Sequence, residues 1–290
     1  MHFAVQQKLS DGRTLLAREA DVETCARDGT YPLHWATKSE DRWVEELLKH
    51  KARVEVRDNT KRTPLHWAAL GGKKDAVVRL LLAGASPKAQ DEQQMTPLHL
   101  AAIAGDCDCI ESLSEGSDVE AKEKSQRTPL MLAVLNDNEN DGAVELLLKK
   151  KKANIKATDA DGRTALHLAA WKGHNSRVAL LLNALQSQGS AGKEEAQEET
   201  TETRRMTPLH IAASRGHKST VKLLLDRKAN SQAKDSGGNT ALSIALSEGH
   251  STVVKLLLEQ GANLYGVDTH GETALHIASE CGHVPIVQLL

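Results

Sequence analysis

The sequence is poor in aromatic residues. One Phe, two Tyr and four Trp make up 2% of its 290 residues, whereas a thick globular core normally contains aromatic side chains that each bury roughly 150–250 Å². Hydrophobic residues still account for 40% of the chain. This composition favours a thin core of Leu, Ala and Val over one large globule.

Three further shortages exclude classes of protein. The net charge is −2, so the chain lacks the excess of positive charge that phosphates attract, and we do not expect a nucleic-acid partner. The apolar runs fall far short of the roughly 20 residues that cross a bilayer, so we expect no direct membrane insertion. Four cysteines do not make a disulfide framework. These features predict a reducing, intracellular location, in the cytoplasm or alternatively the nucleus.

A tetrapeptide of the type Thr-Pro-Leu-His recurs along the chain. The Thr hydroxyl can cap a helix, and Pro suits the first helical turn, so each copy predicts the start of a helix. The copies begin at Tyr31, Thr63, Thr96, Thr128, Thr164, Thr207, Thr240 and Thr273. Their spacing is nearly constant, except for two longer steps on either side of Thr164.

A period of about 33 residues with this motif resembles the ankyrin repeat, and the resemblance covers essentially the whole chain. His2 precedes His34 by one such period, so residues 2–5 look like the remnant of a first repeat, which makes nine repeats. The resemblance implies an all-α fold: an α-solenoid of stacked helix-turn-helix repeats with β-hairpin-like loops. Because one repeat cannot bury its own apolar face, stacking supplies the core.

The repeat register predicts the domain organisation. Repeats 1–6 occupy residues 1–182, a polar, Glu-rich loop occupies 183–206, and repeats 7–9 occupy 207–290, with the first and last repeats incomplete. Since neither end has the polar outer face of a terminal repeat, we expect the sequence to belong to a longer protein. The loop is interpreted as a tolerated insertion or, alternatively, a regulated partner-binding loop containing Thr200, Thr201 and Thr203.

The residues that suggest chemistry are largely explained by the repeat. Of thirteen histidines, eleven occupy two repeated positions, where we predict hydrogen bonds to backbone between repeats rather than metal binding. Cys109 is predicted to be buried and Cys107 exposed. Lys149–Lys152 is interpreted as a solvated helix end. No phosphate-binding loop or nucleophile motif is present, so we expect no enzyme activity, metal or cofactor.

The variable positions of the repeats are the candidates for binding another protein. In the family that this chain resembles, the concave surface of hairpin tips and first-helix ends holds protein partners. Leu70, Ile103 and Leu135 are equally compatible with packing between repeats. Trp35 and Trp67 are assigned to the core, whereas Trp171 is predicted to lie on the exposed side with no packing role. The predicted partner-binding residues are Arg62, Leu70, Met95, Ile103, Arg127, Leu135, Arg163, Trp171, Lys172, Met206 and Arg215.

The predicted function is a non-catalytic scaffold or adaptor that binds another protein without forming an obligate oligomer. The alternative is a regulatory or substrate-recruiting module of a larger enzyme or channel. Catalysis within this sequence is a weaker third interpretation, because nearly every candidate residue has a role in the repeat.

Overall fold

The computed structural model describes residues 21–38, 43–138, 140–187, 205–267 and 271–290. These residues form sixteen α-helices and no β-strand. Residues 2–5, the predicted remnant of repeat 1, lie outside the described residues, as do residues 188–204 of the Glu-rich loop. The chain divides into two compact halves, Met1–Ala153 and Asn154–Leu290.

Each of the eight repeats from Tyr31 onward supplies a pair of short helices, which confirms the predicted helix-turn-helix architecture. In the N-terminal half the pairs are α1 (Pro32–Ala36) and α2 (Trp43–Lys49), α3 (Pro64–Leu70) and α4 (Lys74–Leu82), α5 (Pro97–Ala104) and α6 (Cys107–Ser114), and α7 (Pro129–Leu135) and α8 (Gly142–Glu145), the last followed by a π-helical turn, Leu146–Lys150. In the C-terminal half they are α9 (Ala165–Lys172) and α10 (Asn175–Ser187), α11 (Pro208–Ser214) and α12 (Lys218–Asp226), α13 (Ala241–Ser247) and α14 (Ser251–Glu259), and α15 (Ala274–Glu280) and α16 (Val284–Val287).

Stacking within each half follows the repeat order. In the N-terminal half α1, α3, α5 and α7 pack in sequence as one layer, and α2, α4, α6 and α8 as a second. In the C-terminal half the layers are α9, α11, α13 and α15, and α10, α12, α14 and α16. The Ala pairs of the first helices, such as Ala68-Ala69 and Ala212-Ala213, are completely buried. Small side chains at these positions let neighbouring helices approach closely, and an aliphatic core one repeat deep results.

Five of the motif histidines tie their repeat to the next, as the sequence predicts. The Thr63 amide donates to His66 Nδ1 at 3.1 Å, so the other ring nitrogen, Nε2, donates to the Met95 carbonyl at 3.0 Å. This buried ring satisfies a helix N-terminus and a loop carbonyl at once. The same inter-repeat bond joins His34 to Arg62, His99 to Arg127, His167 to Met206 and His210 to Asn239.

The histidines of three Gly-His pairs make a second set of inter-repeat bonds. His217 Nε2 lies 3.0 Å from the Trp171 carbonyl, at the end of the preceding first helix. His250 and His283 make the equivalent contacts with Ser214 and Ser247. The glycine of each pair has a positive φ, which favours glycine. Gly216 also makes room for the histidine of the next repeat, since a Cβ on Gly216 would approach His250 Nδ1 to 2.7 Å.

Repeat 5 lacks this glycine-histidine pair and replaces it with asparagine. The Asn136 and Asn138 side-chain amides donate to the carbonyls of Ile103 and Ala104, at 2.8 and 2.9 Å. The extended inter-helix segment of this repeat therefore satisfies the same helix end. Two of the lysines that follow, Lys149 and Lys150, are exposed to solvent. Lys149 forms an ion pair with Glu145, and Lys150 forms one with Glu111.

An acidic side chain organises five of the described loops between repeats. The Asp91 carboxylate accepts hydrogen bonds from the Gln93 and Met95 amides. The Asp91 amide in turn donates to the Met95 carbonyl at 3.0 Å. Asp58, Glu123, Asp159 and Asp235 begin equivalent loops. The φ of +61° at Gln94 places this non-glycine residue in the left-handed region, where glycine is preferred.

The structure corrects two predictions made from the repeat register. Helix α10 continues to Ser187, so residues 183–187 of the predicted loop are helical. Trp35 and Trp67 are not core residues, since both are only half-buried. Their rings meet edge to face with centroids 5.5 Å apart.

Candidate functional site

An open groove runs along the C-terminal half. It has a volume of about 760 Å³. The loops preceding the first helices and the C-terminal ends of α9, α11, α13 and α15 supply its walls. Four of the predicted partner-binding residues line it: Arg163, Trp171, Met206 and Arg215. We call this surface the Trp171 groove.

Trp171 is the aromatic side chain of this groove. It lies at the end of α9 and remains 39% exposed. The Arg215 guanidinium carbon lies 4.9 Å from the ring centroid and the Lys172 ammonium 5.7 Å, both within the range of a cation–π contact. The exposed position agrees with the sequence prediction. The predicted lack of a packing role stays a prediction, although the ring contacts Arg215 within the chain.

Two inter-repeat histidines, one from each set, hold the backbone of two groove residues. His167 holds the Met206 carbonyl at 3.2 Å, so this loop residue is fixed just before α11. Met206 is half-buried. His217 in turn fixes the Trp171 carbonyl. These hydrogen bonds between repeats thus also determine where the backbone of the two groove residues lies.

The predicted arginines are engaged within the chain. Arg62 Nε lies 3.0 Å from Asp91 Oδ2, and Arg127 Nε lies 2.9 Å from Glu123 Oε1. Arg163 bonds both Asp159 and Asp161, at 2.9 and 2.6 Å. Any contact of Arg127 or Arg163 with oxygen groups of a partner must therefore compete with these loop carboxylates.

The Arg127 contact affects the titration of its partner. Burial alone would raise the pKa of Glu123, but hydrogen bonds from the Arg127 side chain and from the Ser125 and Arg127 amides outweigh it and hold this pKa below its ordinary value. Glu123 is thus stabilised as a carboxylate inside the loop.

The remaining predicted residues lie in the N-terminal half. Leu70 and Ile103 are 42% and 38% exposed, whereas Leu135 and Met95 are half-buried. Leu70 and Ile103 thus keep substantial apolar surface in contact with solvent, while Leu135 is more covered. These residues belong to a different half from the Trp171 groove.

The sequence analysis missed an aromatic pocket in the N-terminal half. The Lys38 ammonium lies 4.8 Å from the Trp35 ring centroid and 4.3 Å from that of Trp67. The Trp67 indole donates to Asp58 at 2.9 Å, beside a cavity of about 400 Å³ that Leu70 also lines. The signal was Trp at the same position of two consecutive repeats, which implies that the rings are neighbours.

The nucleophilic and metal-binding side chains are dispersed. Cys109 is buried as predicted, whereas Cys107 is half-buried rather than exposed. Burial raises the pKa of both thiols. Within the described residues, no group of three or more His, Cys, Asp and Glu side chains is placed to hold a metal ion. None of the helices in the described ranges has the length and hydrophobicity to span a membrane.

Comparison with known proteins identifies the repeat. A family model described as ankyrin repeats in three copies matches residues 1–91, 68–159, 98–191, 185–268 and 233–290. The chain belongs to the ankyrin repeat family. This assignment confirms the resemblance carried by the Thr-Pro-Leu-His motifs.

Similar ankyrin-containing proteins differ widely in their named roles. The nuclear factor NF-kappa-B p105 subunit of Gallus gallus is 35% identical over 158 residues, which cover 52% of this chain and 16% of the relative. The ankyrin repeat-containing protein C6C3.08 of Schizosaccharomyces pombe is 33% identical over 142 residues, 49% of this chain and 47% of the relative. A Caenorhabditis elegans homologue of transient receptor potential cation channel subfamily A member 1 is 30% identical over 171 residues, 56% of this chain and 13% of the relative. The chain thus matches less than half the length of each relative.

Proposed function

We propose that this ankyrin repeat protein is a non-catalytic scaffold or adaptor that holds another protein in the Trp171 groove. Ankyrin repeats generally mediate protein–protein interaction. The observation that carries the proposal is the clustering of Arg163, Trp171, Met206 and Arg215 around one open groove. Trp, Met and Arg are the side chains most enriched at protein interfaces.

The geometry of Trp171 suits an anchor for a partner. Its ring contacts Arg215, which restrains the side chain before binding, yet the residue is 39% exposed and available for contact. Ser214 and Ser247 follow along the groove, and their small side chains leave space for a bound chain.

The test is affinity capture from a lysate of the source cells with the wild type, Trp171→Ala and the control variant Tyr265→Ala. Tyr265 is 84% exposed and does not line the groove. We expect proteins captured by the wild type and by Tyr265→Ala to be lost with Trp171→Ala. Circular dichroism must show that all three are folded. Equal capture by folded Trp171→Ala would contradict the proposed site.

A second candidate is an interaction module within a larger enzyme or channel. The matched regions make up only 16% of the p105 subunit and 13% of the channel homologue, so the repeat occurs in relatives with much additional sequence. Immunoblotting the endogenous protein distinguishes the candidates by its mass. We propose an intracellular location for either, with the cytoplasm favoured over the nucleus, which imaging of the tagged protein tests.

A further inference from the structure

The charge of the side chains along the Trp171 groove changes from one repeat to the next. The change occurs at two adjacent positions of the repeat, which directly follow the Ala pair, or its equivalent, at the end of each first helix. The first position is occupied by Trp171, Ser214, Ser247 and Glu280, and the second by Lys172, Arg215, Glu248 and Cys281. The groove is therefore aromatic and cationic at repeats 6 and 7 but acidic at repeats 8 and 9.

The two acidic residues at these positions are not neutralised by neighbouring cations. Glu248 and Glu280 are exposed, and neither forms an ion pair within the described part of the chain. Asp235 and Glu272 also line the groove, so four carboxylates border its acidic half. Asp161, at the other end, pairs with Arg163. A bound segment would thus meet negative potential mainly at repeats 8 and 9.

The repeat spacing sets the length of segment that would contact both ends. Adjacent helices pack roughly 8–10 Å apart, so three steps from Trp171 to Glu280 span on the order of 24–30 Å. An extended chain covers about 3.3 Å per residue, and about eight residues therefore reach from one end to the other.

We propose that the Trp171 groove binds an extended, basic segment of a partner protein. An apolar side chain of the segment packs against Trp171, and Lys or Arg side chains near its other end pair with Glu248 and Glu280. This inference rests on the proposed function, since it specifies what the same groove holds. Complementary charge contributes chiefly to the orientation of a bound segment and to its association rate. The acidic end of the groove therefore determines which segments bind, and the contact with Trp171 slows their dissociation.

The experiment selects random dodecapeptides displayed on phage against the full chain. The same pools are screened against Trp171→Ala, against Glu248→Lys/Glu280→Lys, and against a control, Asp226→Lys/Glu259→Lys. The control makes the same change in net charge at the ends of α12 and α14, away from the groove. A dodecapeptide is longer than the roughly eight extended residues that reach from Trp171 to Glu280.

We expect peptides that require Trp171 to carry a net positive charge. Synthetic copies should bind Glu248→Lys/Glu280→Lys roughly tenfold or more weakly than the wild type, and bind the Asp226→Lys/Glu259→Lys control almost unchanged. Trp171-dependent peptides that are neutral or acidic, or that bind the groove variant as tightly as the wild type, would overturn the inference while leaving the proposed site intact. Recovery of only Trp171-independent peptides would overturn both.

Discussion

His66 should make the stability of the chain depend on pH between about 7.5 and 4. Its ring is fully buried between the Thr63 amide and the Met95 carbonyl, and burial lowers its pKa from 6.5 to about 4. Between these two pKa values, His66 binds a proton in the unfolded chain but not in the folded chain. The stabilisation is present in full above about pH 7.5, one unit above the unfolded-state pKa, and is lost progressively as the pH falls through 6.5 toward 4.

The size of this effect follows from the two pKa values. At pH 5.5, one unit below the unfolded-state pKa, the loss is about 1.4 kcal/mol, because one pKa unit corresponds to about 1.4 kcal/mol. Other buried histidines titrate in the same direction, since burial also lowers the pKa of His34 and His99. A variant is therefore needed to isolate His66.

Met131 and Ser243 occupy the same repeat position as His66, so His66→Met has a precedent within the chain. The measurement is the free energy of unfolding in urea for the wild type and His66→Met, at pH 7.5 and 5.5. The wild type should be more stable at pH 7.5, by about 1–3 kcal/mol, because the variant leaves buried polar groups without a partner. The difference should shrink by about 1.4 kcal/mol at pH 5.5. A difference that stayed constant or grew would refute the argument that His66 is buried in its neutral form.

Two further predictions concern the loops between repeats. Gln94→Gly should raise the free energy of unfolding by about 0.5–1 kcal/mol, because glycine adopts the positive φ at this position without strain. The control Gln93→Gly, one residue earlier, should lower the free energy of unfolding. Stabilisation by both substitutions would contradict the reasoning. Arg62→Met should lower stability by about 0.5–1 kcal/mol in urea, since it removes the ion pair with the buried Asp91 carboxylate while Arg62 itself is 28% exposed. High salt should reduce the Arg62 effect, and an effect that salt leaves unchanged would argue against an ionic origin.

The periodic residues made the fold predictable from sequence. Thr63, Pro64 and His66 each have a local role in starting a helix, and their recurrence once per repeat implies a stack in which each histidine bonds to the next repeat. Where a residue departs from the period, the sequence was less informative. Asn136 takes over a histidine's hydrogen bond through a differently spaced segment, which register alone does not indicate.

The candidate site was harder to predict than the fold. Trp171 and Arg215 could be placed on the same surface from their repeat positions, but the pairing of Arg62 and Arg163 with loop carboxylates depends on side-chain geometry. Trp35 and Trp67 show the same difficulty. Their shared repeat position indicated proximity, whereas their exposure depends on how the neighbouring loop and Lys38 cover them.

The central claim is that a partner protein is anchored on Trp171. Its most direct test is the dissociation constant of a captured partner for the wild type, Trp171→Ala and Tyr265→Ala, measured by isothermal titration calorimetry at a temperature where all three are folded. We predict that Trp171→Ala binds at least about thirtyfold more weakly, as expected for loss of a hot-spot aromatic residue worth about 2 kcal/mol or more, while Tyr265→Ala binds like the wild type. Equal affinities for all three proteins would contradict the claim.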